Sequence, residues 1–128
     1  MGDPNATQSG GAVEELSQEK KEVKRYQIRW ADLGPTAGAE VNKTRPVVIV
    51  SLDVLNDVLD TITVCPMTST IHPEWRTHLT VKAGDRDADI MVEQIRTVSK
   101  SRVGKKLGAL STRDAALLRR VITELYGE

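Results

Sequence analysis

The sequence lacks phenylalanine, and its tryptophan and tyrosine residues bring the aromatic fraction to only 3% of 128 residues. RNA-binding domains that use a broad base-stacking surface, such as the RRM, need several aromatic side chains. The composition therefore disfavours that class. An excess of charge of one sign is also lacking, since 18 Lys and Arg balance 18 Asp and Glu. A nucleic-acid ligand would need a local basic surface.

Cysteine occurs once, at Cys65, which excludes an intrachain disulfide and a zinc site built from cysteines. Cys65 precedes a proline inside an apolar segment, which predicts an inert core thiol. The two histidines, His72 and His78, lie at no familiar ligand spacing from a shared carboxylate. We therefore expect no metal and no cofactor, and we expect both histidines to lie at the surface or on a polar face of a strand.

Long hydrophobic runs are absent as well, so no segment of the sequence is long enough to span a bilayer, and the N-terminus has no apolar signal core. We expect a cytoplasmic protein with no membrane partner. Residues 1–25 are polar and of mixed charge, which predicts a disordered or charged leader ahead of a single folded domain at 26–128.

Within that domain the hydrophobic pattern predicts an α+β or small-barrel fold of about five strands with a C-terminal helix. Ser111 and Asp114 form a capping box that opens this helix. Pro66 has no N–H to donate, so its strand should end or lie at an edge there. The predicted strands are residues 27–33, 45–51, 61–67, 77–81 and 90–97, with a helical turn near 53–60 and a charged turn at 83–89.

Arginine or hydroxyl donors stand at the ends of the apolar strands. Arg45 precedes the run Pro-Val-Val-Ile-Val, and the hydroxyls of Thr68 and Ser69 follow the next strand. Such donors suit a phosphate, because a guanidinium can pair with two oxygens while a hydroxyl supplies a third donor. Glu40 is a carboxylate that could accept the proton of a ribose 2′-hydroxyl. The alternative for Arg45 is a structural ion pair with Glu40 or Glu93.

Four segments of the chain, in matching order and spacing, resemble the MazF/PemK toxins. They are residues 32–40 (DLGPTAGAE), 43–51 (KTRPVVIVS), 64–69 (VCPMTS) and 92–98 (VEQIRTV). The resemblance implies a small, twisted SH3-like β-barrel or sheet with a C-terminal helix, assembled as a homodimer. It also implies a sequence-specific, metal-independent endoribonuclease that cuts single-stranded RNA by 2′-hydroxyl attack, leaving a 2′,3′-cyclic phosphate and a 5′-hydroxyl. Such mRNA interferases are neutralised by a cognate antitoxin.

The resemblance also assigns roles to individual residues. The essential arginine of the family falls on Arg45, which would stabilise the phosphorane and protonate the leaving oxygen. Its essential threonine falls on Thr68, which would hold a phosphate oxygen, and its acidic loop residue falls on Glu40 as the base. Base selection would come from two loops, residues 34–44 and 69–76. The RNA-binding candidates in and beside these loops are Lys43, Thr44, Ser69, Thr70 and Arg76.

Two other functions remain open on the same fold. A CcdB-like protein poisons DNA gyrase without catalysis, through a surface toward the C-terminal helix, and would not need the Arg45–Thr68 pair. A barrel that binds RNA without cutting it is the second alternative, because residues that look catalytic also bind phosphate.

Overall fold

The computed structural model describes residues 22–34 and 44–127 of the chain. This part contains seven strands and two α-helices, with short 3₁₀ turns at Val92–Gln94 and Lys100–Arg102. No helix within it is long and apolar enough to cross a membrane. In chain order the elements are β1 (Gln27–Asp32), β2 (Thr44–Ile49), α1 (Asp53–Val58), β3 (Thr61–Thr68), β4 (His78–Ala83), β5 (Arg86–Met91), β6 (Arg96–Ser99), β7 (Val103–Ala109) and α2 (Thr112–Tyr126).

The strands form one antiparallel sheet that curls into a half-barrel. The strand order is β4-β5-β3-β2-β1-β7, and β6 pairs with the first half of β3 on the edge that β5 occupies further along. Helix α2 is capped by the Ser111 hydroxyl, which accepts from the Asp114 backbone N–H at 3.0 Å. The expected twisted sheet with a C-terminal helix is confirmed.

The sheet has more strands than the hydrophobic pattern indicates. Strand β7 holds Gly104, Lys105, Lys106 and Gly108, residue types that are depleted in strands, so the pattern predicts no strand there. It is nevertheless added to the edge of β1, with register shifts between the two strands. The segment predicted as a strand at 90–97 divides at a 3₁₀ turn, and the charged turn before it is shorter because β5 begins at Arg86.

Both faces of the sheet are covered along β2. Val47 and Ile49 are buried in one cluster, while Val48 and Val50 are buried in the other. Leu118 of α2 joins the second cluster with an accessibility of 0%. Residues just ahead of β1 belong to the packed body too, since Val23 is wholly buried in the first cluster, whereas residues 1–21 lie outside the described part.

Pro66 neither ends β3 nor lies at a sheet edge, contrary to the prediction. The backbone N–H of Val50 donates to the Thr63 carbonyl, so Thr63 faces β2. Backbone groups alternate sides along a strand, which turns the nitrogen of Pro66 to the opposite edge. On that edge β6 stops at Val64 and β5 starts at Met67. The residue without an N–H therefore lies where β3 changes partners and no ladder bond is required.

Candidate active site

Arg45 and Thr68 are cross-strand neighbours on β2 and β3. The two strands pair with Val47 opposite Pro66 and Val48 opposite Cys65. Extending this register by two residues places Arg45 opposite Thr68, and directly opposed side chains lie on the same face about 5 Å apart at Cβ. The guanidinium of Arg45 donates to the Met67 carbonyl at 3.4 Å, which holds it beside the end of β3.

The hydroxyl of Thr68 is oriented by the chain that follows it. The backbone N–H of Thr70 donates to Thr68 Oγ1 at 3.1 Å. A hydroxyl has one hydrogen and two acceptor positions, so this bond occupies an acceptor position and leaves the O–H group available as a donor. Together with Arg45, the site can therefore present a guanidinium and a hydroxyl donor to one anionic group.

These two residues line a cleft of about 520 Å³ at one end of the sheet. The cleft lies where β1, β3 and β4 end and where β2 and β5 begin. Among the described residues that line it are two arginines, Arg45 and Arg86, and one carboxylate, that of Asp87, which is 3.2 Å from the ammonium group of Lys82. The lining is Trp30, Thr44, Arg45, Pro46, Met67, Thr68, Ser69, Ala83, Arg86, Asp87 and Ala88.

The predicted site residues fall into three groups. Arg45, Thr68, Thr44 and Ser69 line the cleft. Thr70 contacts Thr68 through its backbone, and Arg76 is exposed in the following loop but does not line the cleft. The predictions for Glu40 and Lys43 concern positions outside the described residues. Glu93, one of the two ion-pair partners considered for Arg45, instead lies 3.3 Å from His78 Nε2.

Trp30 and Arg86 were missed as cleft residues. Trp30 is opposite Pro46 in the β1–β2 ladder and is 39% exposed. The signal available from the sequence was a tryptophan on the strand before the predicted phosphate-binding strand, in a chain with few aromatic residues. The sequence offers no such signal for Arg86, because it lies in a predicted turn and reaches the cleft only through the β4–β5 hairpin.

A buried polar network lies next to the cleft, and it corrects the prediction of a surface or polar-face position for His78, whereas the His72 side chain is 33% exposed. The His78 side chain is only 3% exposed, with Nδ1 3.0 Å from Asp89 Oδ2 and Nε2 3.3 Å from Glu93. The Thr80 hydroxyl donates to Asp89 at 2.5 Å, and the His72 backbone N–H donates to it at 2.7 Å. The loop after β3 folds over this face, which the strand pattern alone did not reveal.

The pKa of Asp89 reflects its surroundings. Burial by itself would raise the pKa of this carboxyl group. The hydrogen bonds from Thr80, the His72 backbone and His78, together with the charge of His78, outweigh burial and hold the pKa below its usual value. Asp89 is therefore a carboxylate that the fold keeps ionised at neutral pH.

Cys65 is a core thiol, as predicted. Burial, with a smaller contribution from the charge of Glu93, raises the pKa of Cys65 to about 12. A thiol with that pKa is almost wholly protonated at neutral pH and is a poor nucleophile. Across the described part of the chain, no group of three or more His, Cys, Asp or Glu side chains is arranged to hold a metal ion.

Comparison with known proteins shows which family this chain joins. The family model described as "PemK-like, MazF-like toxin of type II toxin-antitoxin system" matches residues 24–126. A protein named Endoribonuclease MazF from Staphylococcus saprophyticus is 36% identical over 94 residues, spanning 70% of this chain and 78% of that protein. The chain belongs to the PemK/MazF toxin family.

Solved structures of the PemK/MazF family share the fold. MazF from Deinococcus radiodurans superposes with a TM-score of 0.71 at 22% identity, covering 83% of this chain and 97% of that one. An endoribonuclease from a mycobacterial species, in complex with its cognate antitoxin, superposes with a TM-score of 0.69 at 20% identity. That superposition covers 82% of this chain and 95% of the mycobacterial one.

Proposed function

We propose that this MazF-type endoribonuclease cleaves single-stranded RNA at short sequences, without a metal, in the cleft at the ends of β2 and β3. The observation that carries the proposal is the register of these strands, which places the Arg45 guanidinium and the Thr68 hydroxyl on one face as neighbours. The excess of arginine in the cleft gives the electrically neutral chain the local positive surface that an RNA ligand requires.

In this mechanism the RNA supplies its own nucleophile. The ribose 2′-oxygen attacks the adjacent phosphorus and loses its proton to a base, for which Glu40 is the candidate. Arg45 and the Thr68 hydroxyl donate to the non-bridging oxygens, whose negative charge grows in the phosphorane. The P–O5′ bond then breaks and the 5′-oxygen takes up a proton from Arg45 or water. The products are a 2′,3′-cyclic phosphate and a 5′-hydroxyl.

We also propose that the chain is a cytoplasmic homodimer inhibited by a cognate antitoxin. Family membership supports the antitoxin, and the mycobacterial relative was solved with its own. An exposed apolar surface supports the dimer. Of nine large apolar side chains that are exposed in the described part, five cluster in and beside α1. They are Leu52, Val54, Leu55, Val58 and Leu59. Sedimentation of the purified protein tests the dimer.

Incubation of the purified protein with a long single-stranded RNA in excess EDTA tests the catalytic proposal. We expect discrete cuts that leave cyclic phosphate ends. Arg45→Ala should lower kcat by about 10²–10³-fold or more, since it removes a main donor to the phosphorane. Its melting temperature should stay near that of the wild type, because Arg45 is half-buried at the cleft rather than in the core.

Arg120→Ala is the matched control, because Arg120 is exposed on α2 and does not line the cleft. It should cut RNA like the wild type. Normal cleavage by folded Arg45→Ala would refute the site assignment. Intact RNA in every reaction, over many sequences, would refute the proposed cleavage itself.

A further inference from the structure

The loop after β3 presents an exposed tryptophan that the catalytic proposal does not use. The indole of Trp75 stacks on the imidazole of His72, with ring centroids 3.9 Å apart and an interplanar angle of 8°. The His78 ring meets the same indole at 4.9 Å in an edge arrangement. Trp75 is still 46% exposed, although tryptophan is on average a highly buried residue. An aromatic surface is therefore held in place and left open to solvent.

Hydrogen bonds fix the backbone under these rings. The backbone N–H of His72 donates to the buried Asp89 carboxylate at 2.7 Å. The N–H of Trp75 donates to the His72 carbonyl at 3.0 Å, and the N–H of His78 donates to the Trp75 carbonyl at 3.2 Å. Because the loop is already ordered by these bonds, a ligand that stacks on Trp75 loses little conformational entropy of the protein.

The Asp89 carboxylate, which binds the backbone of this loop, also adjoins the Arg45–Thr68 pair. Asp89 is the cross-strand partner of Thr68, so the two side chains lie on one face of the sheet. Arg45 lies on that face too, because it is opposite Thr68 in the β2–β3 register. The rings of His72 and His78 contact Trp75, and both residues also bond to Asp89, the cross-strand neighbour of Thr68. The loop is thus anchored on the face of the sheet that carries Arg45 and Thr68, where a single RNA strand could contact both.

We propose that Trp75, backed by His72, is the stacking site for one unpaired base adjoining the scissile phosphate. This inference rests on the proposed endoribonuclease function and deepens it. Single-stranded RNA is recognised through bases that stack on aromatic side chains, and every base has a face that can do so. Arg76 follows Trp75 directly and is exposed, so it can neutralise the phosphate of the stacked nucleotide.

RNA fits this surface better than a protein partner does. The Trp75 surface lies on the same face as Arg45 and Thr68, and Arg76 follows the tryptophan in the sequence. Stacking contributes mainly affinity, with a modest base preference that follows stacking strength. Trp75→Ala should therefore act on KM far more than on kcat, whereas loss of a phosphorane donor acts on kcat.

The test uses an oligonucleotide that contains a site cut by the wild-type protein in a long single-stranded RNA. Trp75→Ala should raise KM on the order of tenfold while kcat changes little. Trp75→Phe keeps an aromatic face and should restore most of the affinity, and Arg120→Ala should behave like the wild type. Sequencing of the 5′-hydroxyl ends should show a weaker base preference at one position beside the cut in Trp75→Ala.

Binding is measured separately with the same oligonucleotide carrying a 2′-deoxyribose at the cleaved nucleotide, which removes the nucleophile. Tryptophan fluorescence should be quenched more in the wild type than in Trp75→Phe, whose only indole is Trp30 of the cleft. An unchanged KM and an unchanged cut pattern in folded Trp75→Ala would overturn the stacking site. The exposed indole of the wild type would then be assigned to a protein partner. Absence of cutting by the wild type would instead refute the underlying function.

Discussion

The Thr68 side chain does two things that different substitutions separate. Its oxygen accepts the Thr70 N–H at 3.1 Å, and we propose that its hydrogen donates to the scissile phosphate. Thr68→Val keeps the shape of the side chain but removes the hydroxyl, so we expect kcat to fall by about 10²–10³-fold, as for loss of one transition-state donor. Thr68→Ser keeps the hydroxyl and should retain most of the activity. Equal loss in both variants would show that the methyl group, and not the donor, is required.

The low pKa of Asp89 makes a prediction about acid stability. A carboxyl group whose pKa is lower in the folded than in the unfolded state stabilises the fold above its unfolded value of about 4. That contribution is lost as the pH falls through the folded pKa. Asp89→Asn should therefore lower the free energy of unfolding by about 1–3 kcal/mol at pH 7, because charged hydrogen bonds are lost. It should also reduce the dependence of stability on pH below 4.

Melting temperatures of the wild type and Asp89→Asn between pH 7 and pH 2 would measure both effects. The two curves should converge at low pH, where the carboxyl group of the wild type is protonated as well. Asp57→Asn, an exposed position on α1, is the control and should run parallel to the wild type. Parallel curves for Asp89→Asn would mean that its pKa is not lowered by folding.

At the scale of the elements, helix α2 supplies the cover for one face of the sheet. Leu118 is fully buried there among side chains of β2, β3, β4 and β5. Leu118→Ala should lower the free energy of unfolding by about 2–5 kcal/mol, because it removes apolar contacts and leaves a cavity. Leu107→Ala makes the same change at a position that is 44% exposed and should cost much less. Denaturant unfolding of both variants gives the comparison.

The strands that form the Arg45–Thr68 pair are the elements that the sequence predicts best. The continuous Val and Ile of β2 and the apolar start of β3 specify buried strands at almost the observed positions. The predictions that failed concern elements whose structure depends on strands distant in sequence. Strand β7 has a weak strand pattern and forms because β1 offers it an edge. Likewise, Pro66 is tolerated inside β3 only because β5 and β6 divide one edge between them.

The residues of the site also differ in whether the local sequence is enough to predict them. Arg45 and Thr68 stand at strand ends and could be proposed from the pattern and the family resemblance. Arg86 enters the cleft only when the β4–β5 hairpin folds against β3. His78 is buried only because the preceding loop closes over it. Burial of a polar side chain by a loop has no signature in strand periodicity, so that part of the site required the structure.

At the scale of the whole molecule, the balance of charges decides how RNA is attracted. With a formal net charge of zero, the chain provides no general attraction, so the proposed binding of RNA depends on the cations of the cleft and its surroundings. The affinity for a single strand falls with salt at a slope of about 0.7 per neutralised phosphate on a log–log plot. We therefore expect a shallow slope that reports a few phosphate contacts.

Arg86→Ala should reduce that slope by about 0.7 and weaken binding almost evenly across RNA sequences, because a phosphate contact carries no base information. The measurement is Kd for the 2′-deoxy-substituted oligonucleotide over a series of salt concentrations, with Arg120→Ala as the exposed control outside the cleft. A slope that Arg120→Ala reduces as much as Arg86→Ala would place the RNA on the helix side of the molecule. A slope lowered only by Arg86→Ala would support a path through the cleft, where we propose that Arg45 and Thr68 meet the scissile phosphate.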